Sequence, residues 1–243
     1  MVERLIRNEQ VAGSSPVKGS KDLSLRFIMR SKFQRNFWVV IVMEFFERGA
    51  YYGVLSVLSV YLVAGAMDGG LGFSRMQAGT ILGTIQPLLY FLPIIAGGIA
   101  DRYGYRKILF FAFTCMIVGY ALTGVFTNYG LVFASLIIMA IGAGFFKPVI
   151  SGTIAKSTDE TNSTLGFGIF YWSINLGAFL FPLFLVPNLK AMGYEYIFYM
   201  AAVVGLILLL INTFFYKEPI SLNDPETPQK SVGETLLGIL TVL

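Results

Sequence analysis

The sequence predicts an all-α integral membrane protein built around six transmembrane helices. Three observations carry that prediction. The hydrophobic set makes up 56% of the 243 residues and charged residues only 13%, against about 25% charged in soluble domains. Mean hydropathy is +0.70. Six apolar runs follow one another, near 37–63, 76–100, 108–127, 130–154, 164–187 and 194–216, each at or above the roughly 20 helical residues that cross a bilayer. A soluble core holds one or two such runs, not six in succession. Within lipid the backbone must satisfy its own hydrogen bonds, which makes each run a helix.

The connections agree with that division. "DRYGYRK" separates the second and third runs and "KSTDETNS" the fourth and fifth, while short glycine- or asparagine-bearing turns separate the others. Basic residues fall unevenly among them. One side receives Arg26, Arg30, Lys32, Arg35, Arg102, Arg106, Lys107, Lys156, Lys217 and Lys230, and the other only Arg75 and Lys190. By the positive-inside rule both ends of the chain are cytoplasmic. Localisation in the cell membrane, with multiple passes, is the expectation.

Outside the bundle the chain divides simply. Residues 1–30 read as a cytoplasmic arm with no signal-peptide core, or as spurious translation upstream of a true start near Met29. In the second reading "GSSP" is a translated transfer-RNA T-arm. Residues 31–216 are the bundle. Residues 217–243 are a polar, proline-bearing linker and the start of a further helix, where Ser231 and Glu234 have capping-box spacing. That helix is cut short, so the chain is expected to be a truncated one.

Other function classes find little support. There is no histidine and the single cysteine, Cys115, lies in an apolar run, so neither a metal cage nor an internal disulfide is expected. No nucleophile–base set suggests an enzyme. A net charge of +4, spread over loops, gives no reason to expect a nucleic-acid partner.

What needs explaining is charge inside the apolar runs. In "MEFFERGAYYG", 43–53, the residues Glu44, Glu47, Arg48 and Tyr51 are spaced i, i+3, i+4, i+7 and form one helical stripe. A charge at mid-membrane costs roughly 2.5–3.5 kcal/mol on insertion scales, so the stripe faces the bundle interior or a wet cavity. Glu44 and Arg48 form an i, i+4 pair with the acid first, the favourable order. An ion pair that only fixes packing accounts for one carboxylate. The second, lacking a permanent partner, is a candidate for proton exchange. Without histidine, any proton coupling falls to Glu44 and Glu47.

Lys147, in "IGAGFFKPVIS", is the fourth charge. Its glycines do not make a phosphate loop, since no strand precedes them and no Ser or Thr follows the lysine. Snorkelling to the interface competes with a functional role for it. Pro148 supplies a kink. Gln86, Tyr90 and Asn175 are polar residues within runs, each more often a helix–helix hydrogen bond than a ligand contact. Gly79 and Gly83 are read as a small-xxx-small packing pair.

"GGIADRYGYRK", 97–107, resembles the loop signature of the major facilitator superfamily between its second and third helices. Gly97, Gly98 and Gly104 would allow close approach, Asp101 would cap and pair, and Arg102, Arg106 and Lys107 would hold the cytoplasmic side. With "EFFERGAYYG", "GAGFFKP" and "FYWSINLGAFLFP", residues 36–243 resemble the proton-coupled oligopeptide transporter (POT/PTR) family. The resemblance implies the N-terminal half of a twelve-helix fold that imports di- and tripeptides with protons. The driving force is the proton gradient and no cofactor is needed. The partners would be the bilayer, the small peptide, protons and a missing C-terminal six-helix half.

Carried over by resemblance, Glu44 and Glu47 are the proton-coupling carboxylates. Arg48 pairs with them and helps bind the peptide carboxylate, and Lys147 lies opposite and exchanges partners. Tyr51, Tyr52, Tyr90 and Asn175 would line the peptide site. Two positions depart from the family pattern: Gly49 stands where an aromatic is usual and Val149 where asparagine is. They keep open a carrier of another small anionic or zwitterionic solute. A six-helix remnant that does not transport is the remaining alternative.

Overall fold

A computed structural model of the chain describes residues 33–219. The arm before Phe33, the greater part of the linker, and the Ser231–Glu234 capping box lie outside the described residues. Within 33–219 the secondary structure is helical throughout: α1 (Arg35–Val63), α2 (Arg75–Tyr103), α3 (Tyr105–Val125), α4 (Tyr129–Lys156), α5 (Ser163–Met192) and α6 (Glu195–Phe214), with a 3-10 turn at Ala66–Asp68. Five of them, α2 to α6, have the length and hydropathy of membrane spans. The first has 29 residues but misses that hydropathy, because Glu44, Glu47 and Arg48 sit at its middle.

Local chemistry accounts for the boundaries. Ser74 opens α2 with a capping box, its hydroxyl accepting from the Gln77 amide while the Gln77 side chain accepts from the Ser74 amide. Asn128 caps α4 through the amides of Gly130 and Leu131. Inside α5 the turn Phe181–Leu185 widens to a π-helix. Pro182 lies there and has no amide to give the ladder.

Small residues let the helices approach. A Cβ on Gly119 of α3 would lie 2.5 Å from the Met139 amide nitrogen of α4, and one on Gly142 would lie 2.5 Å from the Ala112 carbonyl oxygen of α3. The α3–α4 contact therefore runs backbone to backbone, as in glycine-mediated membrane packing. Gly177 of α5 meets the Phe45 carbonyl of α1 in the same way, at 2.3 Å. Gly79 and Gly83 do not: a Cβ on either meets nothing within 4 Å. The small-xxx-small spacing was expected to mark a packed face. On α2 that face is instead open, because the close contacts are made by its Leu92 side, against Gly144 of α4.

One end of the bundle gathers the basic loops. The Asn36 amide donates to the Lys217 carbonyl and its oxygen accepts from the Lys217 amide, tying the start of α1 to the chain after α6. Tyr216 shares a 2.7 Å hydroxyl contact with Thr153 of α4. Asp101 accepts from the Tyr105 hydroxyl at 2.8 Å and pairs with Lys156 at 3.3 Å. Arg106 donates to the Thr213 carbonyl of α6. At the opposite end the α1–α2 connection meets the other two, Phe73 packing edge-on to Tyr129 and Gly69 lying by Tyr194.

The loop motif thus works as a clamp, with one correction. Asp101 pairs as expected, but the cap on α3 comes from elsewhere. The Glu218 carboxylate accepts from the amides of Tyr105 at 2.5 Å and Arg106 at 3.0 Å, 113 and 112 residues away. It places an anion at a helix N-terminus, where free amides and the helix dipole favour it. Gly104, with φ of 95°, turns the chain from α2 into α3. Replacing Glu218 by glutamine should lower stability by about 1 kcal/mol, read as an earlier thermal transition in detergent, with Glu218→Asp losing less.

Candidate functional site

The stripe on α1 is buried as its spacing predicts. Glu44 is 4% exposed, Glu47 0% and Arg48 5%, the three charged side chains among the buried described residues. Arg48 engages Glu47 through both Nε and Nη2, the latter 2.7 Å from Oε1, and its Nε lies 3.6 Å from Glu44 Oε1. The guanidinium also stacks over the Tyr51 ring, 4.8 Å from its centroid. Glu47 is therefore held by a bidentate partner, whereas among the described residues Glu44 has a single ion-pair contact, at 3.6 Å. The two carboxylates are not equivalent.

Beside them lies a cavity of about 420 Å³ lined by Glu44, Arg48 and Tyr52 of α1, Pro93 of α2, Lys147, Pro148 and Ser151 of α4, and Phe170 and Ile174 of α5. That is within the range of small-molecule sites, and the lining mixes apolar walls with a few convergent charges. Lys147 reaches it because α4 carries it one turn before Ser151, whose hydroxyl donates to the Lys147 and Pro148 carbonyls. Lys147 forms no ion pair among the described residues. Its ammonium rests 5.4 Å from the centre of the Tyr90 ring.

The residues expected at the site separate into two groups. Glu44, Arg48, Tyr52 and Lys147 line the cavity together. Glu47 sits behind Arg48. Tyr51 turns away to pack with Gln86 and Tyr120 in a second, small void. Tyr90 is exposed and outside the cavity lining, with its ring beside the Lys147 ammonium. Asn175 is exposed, and its amide donates 2.7 Å to the Tyr171 carbonyl of its own helix, while Ile174 and Phe170 take the α5 wall. Ser151, Phe170, Ile174 and Pro93 were not singled out by sequence. Ser151 alone had a signal, four residues after Lys147 on the same face.

The departure at Gly49 has a structural reason. A Cβ there would lie 2.4 Å from the Phe181 ring, and Phe181 packs edge-on against Phe45 and Phe46. An aromatic ring from α5 occupies the space beside Arg48 that a side chain at 49 would need. Val149 is fully buried in the core, on the opposite side of α4 from the cavity lining.

Ionisable groups held at the middle of a helical bundle around a solute-sized cavity are the arrangement that membrane carriers use. Residues 37–243 match the Major Facilitator Superfamily, and the chain belongs to it. A peptide transporter of Yersinia enterocolitica, YePEPT, is 30% identical over 82% of this chain and 42% of its own length. A di-/tripeptide transporter of Lactococcus lactis subsp. cremoris is 32% identical over 71% of this chain and 35% of its own. Among solved structures, a POT-family transporter in complex with a thioalcohol-conjugated peptide superposes with a TM-score of 0.71 at 28% identity, over 86% of this chain and 45% of that one. The peptide transporter POT in complex with sulfate gives 0.71 at 27%, over 86% and 44%. The fold is the major facilitator fold of these peptide transporters, and the chain spans about a third to a half of the length of the curated relatives it matches.

Proposed function

We propose that the protein of which these helices form the N-terminal bundle imports di- and tripeptides together with protons, and that this bundle binds the peptide carboxylate. The observation that carries the reading is the charge count around the cavity. Glu44 and Glu47 against Arg48 and Lys147 make a neutral cluster in a place where net charge is costly. Adding a substrate carboxylate makes it −1. A proton on Glu44 restores neutrality. Proton and carboxylate therefore load together, and each raises the affinity for the other by the same factor.

The geometry supports a division of roles. Glu44 takes the proton, since it faces the cavity and has only a long contact to Arg48. Glu47 keeps Arg48 extended toward the cavity. Lys147, which forms no ion pair among the described residues, receives the substrate carboxylate, with Arg48 as its second cation. By the positive-inside rule the end carrying Arg35, Arg102, Arg106, Lys107, Lys156 and Lys217 is cytoplasmic. A cell-membrane carrier driven by the proton gradient needs no cofactor. The peptide amino end would be met by groups of a second six-helix bundle.

Dipeptide binding to the Lys147→Gln variant tests the assignment. Loss of a charge-assisted bond should weaken a free dipeptide by about 10- to 100-fold and a C-terminally amidated one hardly at all. Equal losses for both would remove Lys147 from the carboxylate site.

A further inference from the structure

We propose that the outer groove between α3 and α6, at the basic end, binds the headgroup of an anionic glycerophospholipid of the phosphatidylglycerol type. The groove, about 390 Å³, is lined by Tyr103, Arg106, Lys107, Phe110, Asn212, Thr213 and Glu218. It is separate from the central cavity, with which it shares no lining residue.

Three features define the ligand. The first is charge: Arg106 and Lys107 against Glu218 leave the groove at +1. Glu218 is occupied by the amides that open α3 and Arg106 spends one donor on Thr213, while Lys107 makes no ion pair among the described residues. A phosphodiester supplies the missing anion.

The second is an unmet acceptor. Asn212 is 1% exposed, and its amide nitrogen donates to the Arg106 carbonyl at 3.1 Å, but its Oδ1 has no partner among the described residues. A buried acceptor left unpaired is costly, and a phosphate has no hydrogen to give it. The hydroxyls of a glycerol headgroup do. An ethanolamine headgroup also donates, but it is zwitterionic and leaves the positive charge of the groove unmatched.

The third is the surround. Tyr103, Phe110 and Phe214 are 58%, 52% and 73% exposed, and further along α3 and α6 Val118, Val203, Leu206 and Leu210 are exposed as well. An aromatic rim at the helix ends, above an apolar outer face, is what a lipid headgroup and its acyl chains meet.

Native mass spectrometry of the full 243-residue chain with dioleoyl lipids tests this. Wild type should retain phosphatidylglycerol over phosphatidylcholine. Lys107→Gln, an exposed change expected to leave the melting temperature unaltered, should weaken phosphatidylglycerol retention about fivefold. Phosphatidylmethanol, equally anionic but without a headgroup donor, should bind wild type about fivefold more weakly than phosphatidylglycerol, and Asn212→Leu should erase that difference. Equal retention of phosphatidylglycerol and phosphatidylcholine, indifference to Lys107→Gln, or displacement by millimolar inorganic phosphate would each overturn the proposal.

Discussion

Replacing Glu44 by glutamine should abolish proton-driven accumulation of dipeptide while leaving the peptide bound. The variant cluster holds Glu47, Arg48 and Lys147 and is fixed at +1, the state that accepts a carboxylate without a proton. In wild type, affinity should fall about tenfold for each pH unit above the range where Glu44 protonates, as required when one proton binds with one ligand. The variant should bind with the affinity wild type reaches at low pH and show no such slope. Exchange of labelled for unlabelled peptide should survive in it, since that process moves no net proton.

Glu47→Gln should behave differently, because Glu47 is the bidentate partner of Arg48 and does not line the cavity. Its loss weakens the hold on a buried guanidinium, so part of the effect should appear as reduced stability. If Glu44→Gln and Glu47→Gln were indistinguishable in both binding slope and melting temperature, the division of roles between them would be wrong.

The second large effect should come from Gly177→Ala. The new methyl group would meet the Phe45 carbonyl at 2.3 Å and the Gly49 amide at 3.1 Å, and backbone cannot swing aside as a side chain can. The α1–α5 contact must open, at a cost of about 1–3 kcal/mol. That contact also sets the distance from Glu44 to Phe170 and Ile174, so peptide affinity should fall along with thermal stability. For Gly49→Ala the nearest atoms are side-chain atoms, those of the Phe181 ring, from 2.4 Å. Shortening that ring should rescue it: the Gly49→Ala, Phe181→Leu double variant should melt closer to wild type than Gly49→Ala does. No second-site side-chain change should rescue Gly177→Ala.

Much of this arrangement was legible from the chain because it depends on local pattern. Hydropathy alone placed six helices, with the observed ends within a few residues except in α5, which the π-turn at Phe181–Leu185 carries on to Met192. The 44–47–48–51 spacing required a buried stripe, since charge cannot face lipid cheaply. Charge bias predicted that Arg35, Arg102, Arg106, Lys107, Lys156 and Lys217 share one end.

What remained illegible depends on pairs far apart in sequence. Nothing near Tyr105 announces that Glu218 caps its helix, and nothing near Gly49 announces that Phe181 fills the space beside it. Gly79–Gly83 carries the same local spacing as a packed pair, yet only the other helices decide which side of α2 is covered. Asn175 illustrates the same limit at the site: one step along α5 separates the wall residue Ile174 from an amide turned back onto its own backbone.

The most direct test of the proposed function is the pH dependence of dipeptide affinity, measured for a free and a C-terminally amidated dipeptide. Coupling through the carboxylate predicts a tenfold change per pH unit for the free peptide, a flat profile for the amidated one, and a flat profile for both in Glu44→Gln. A free dipeptide whose affinity ignores pH in wild type, or an amidated one that follows it as steeply, would contradict the account.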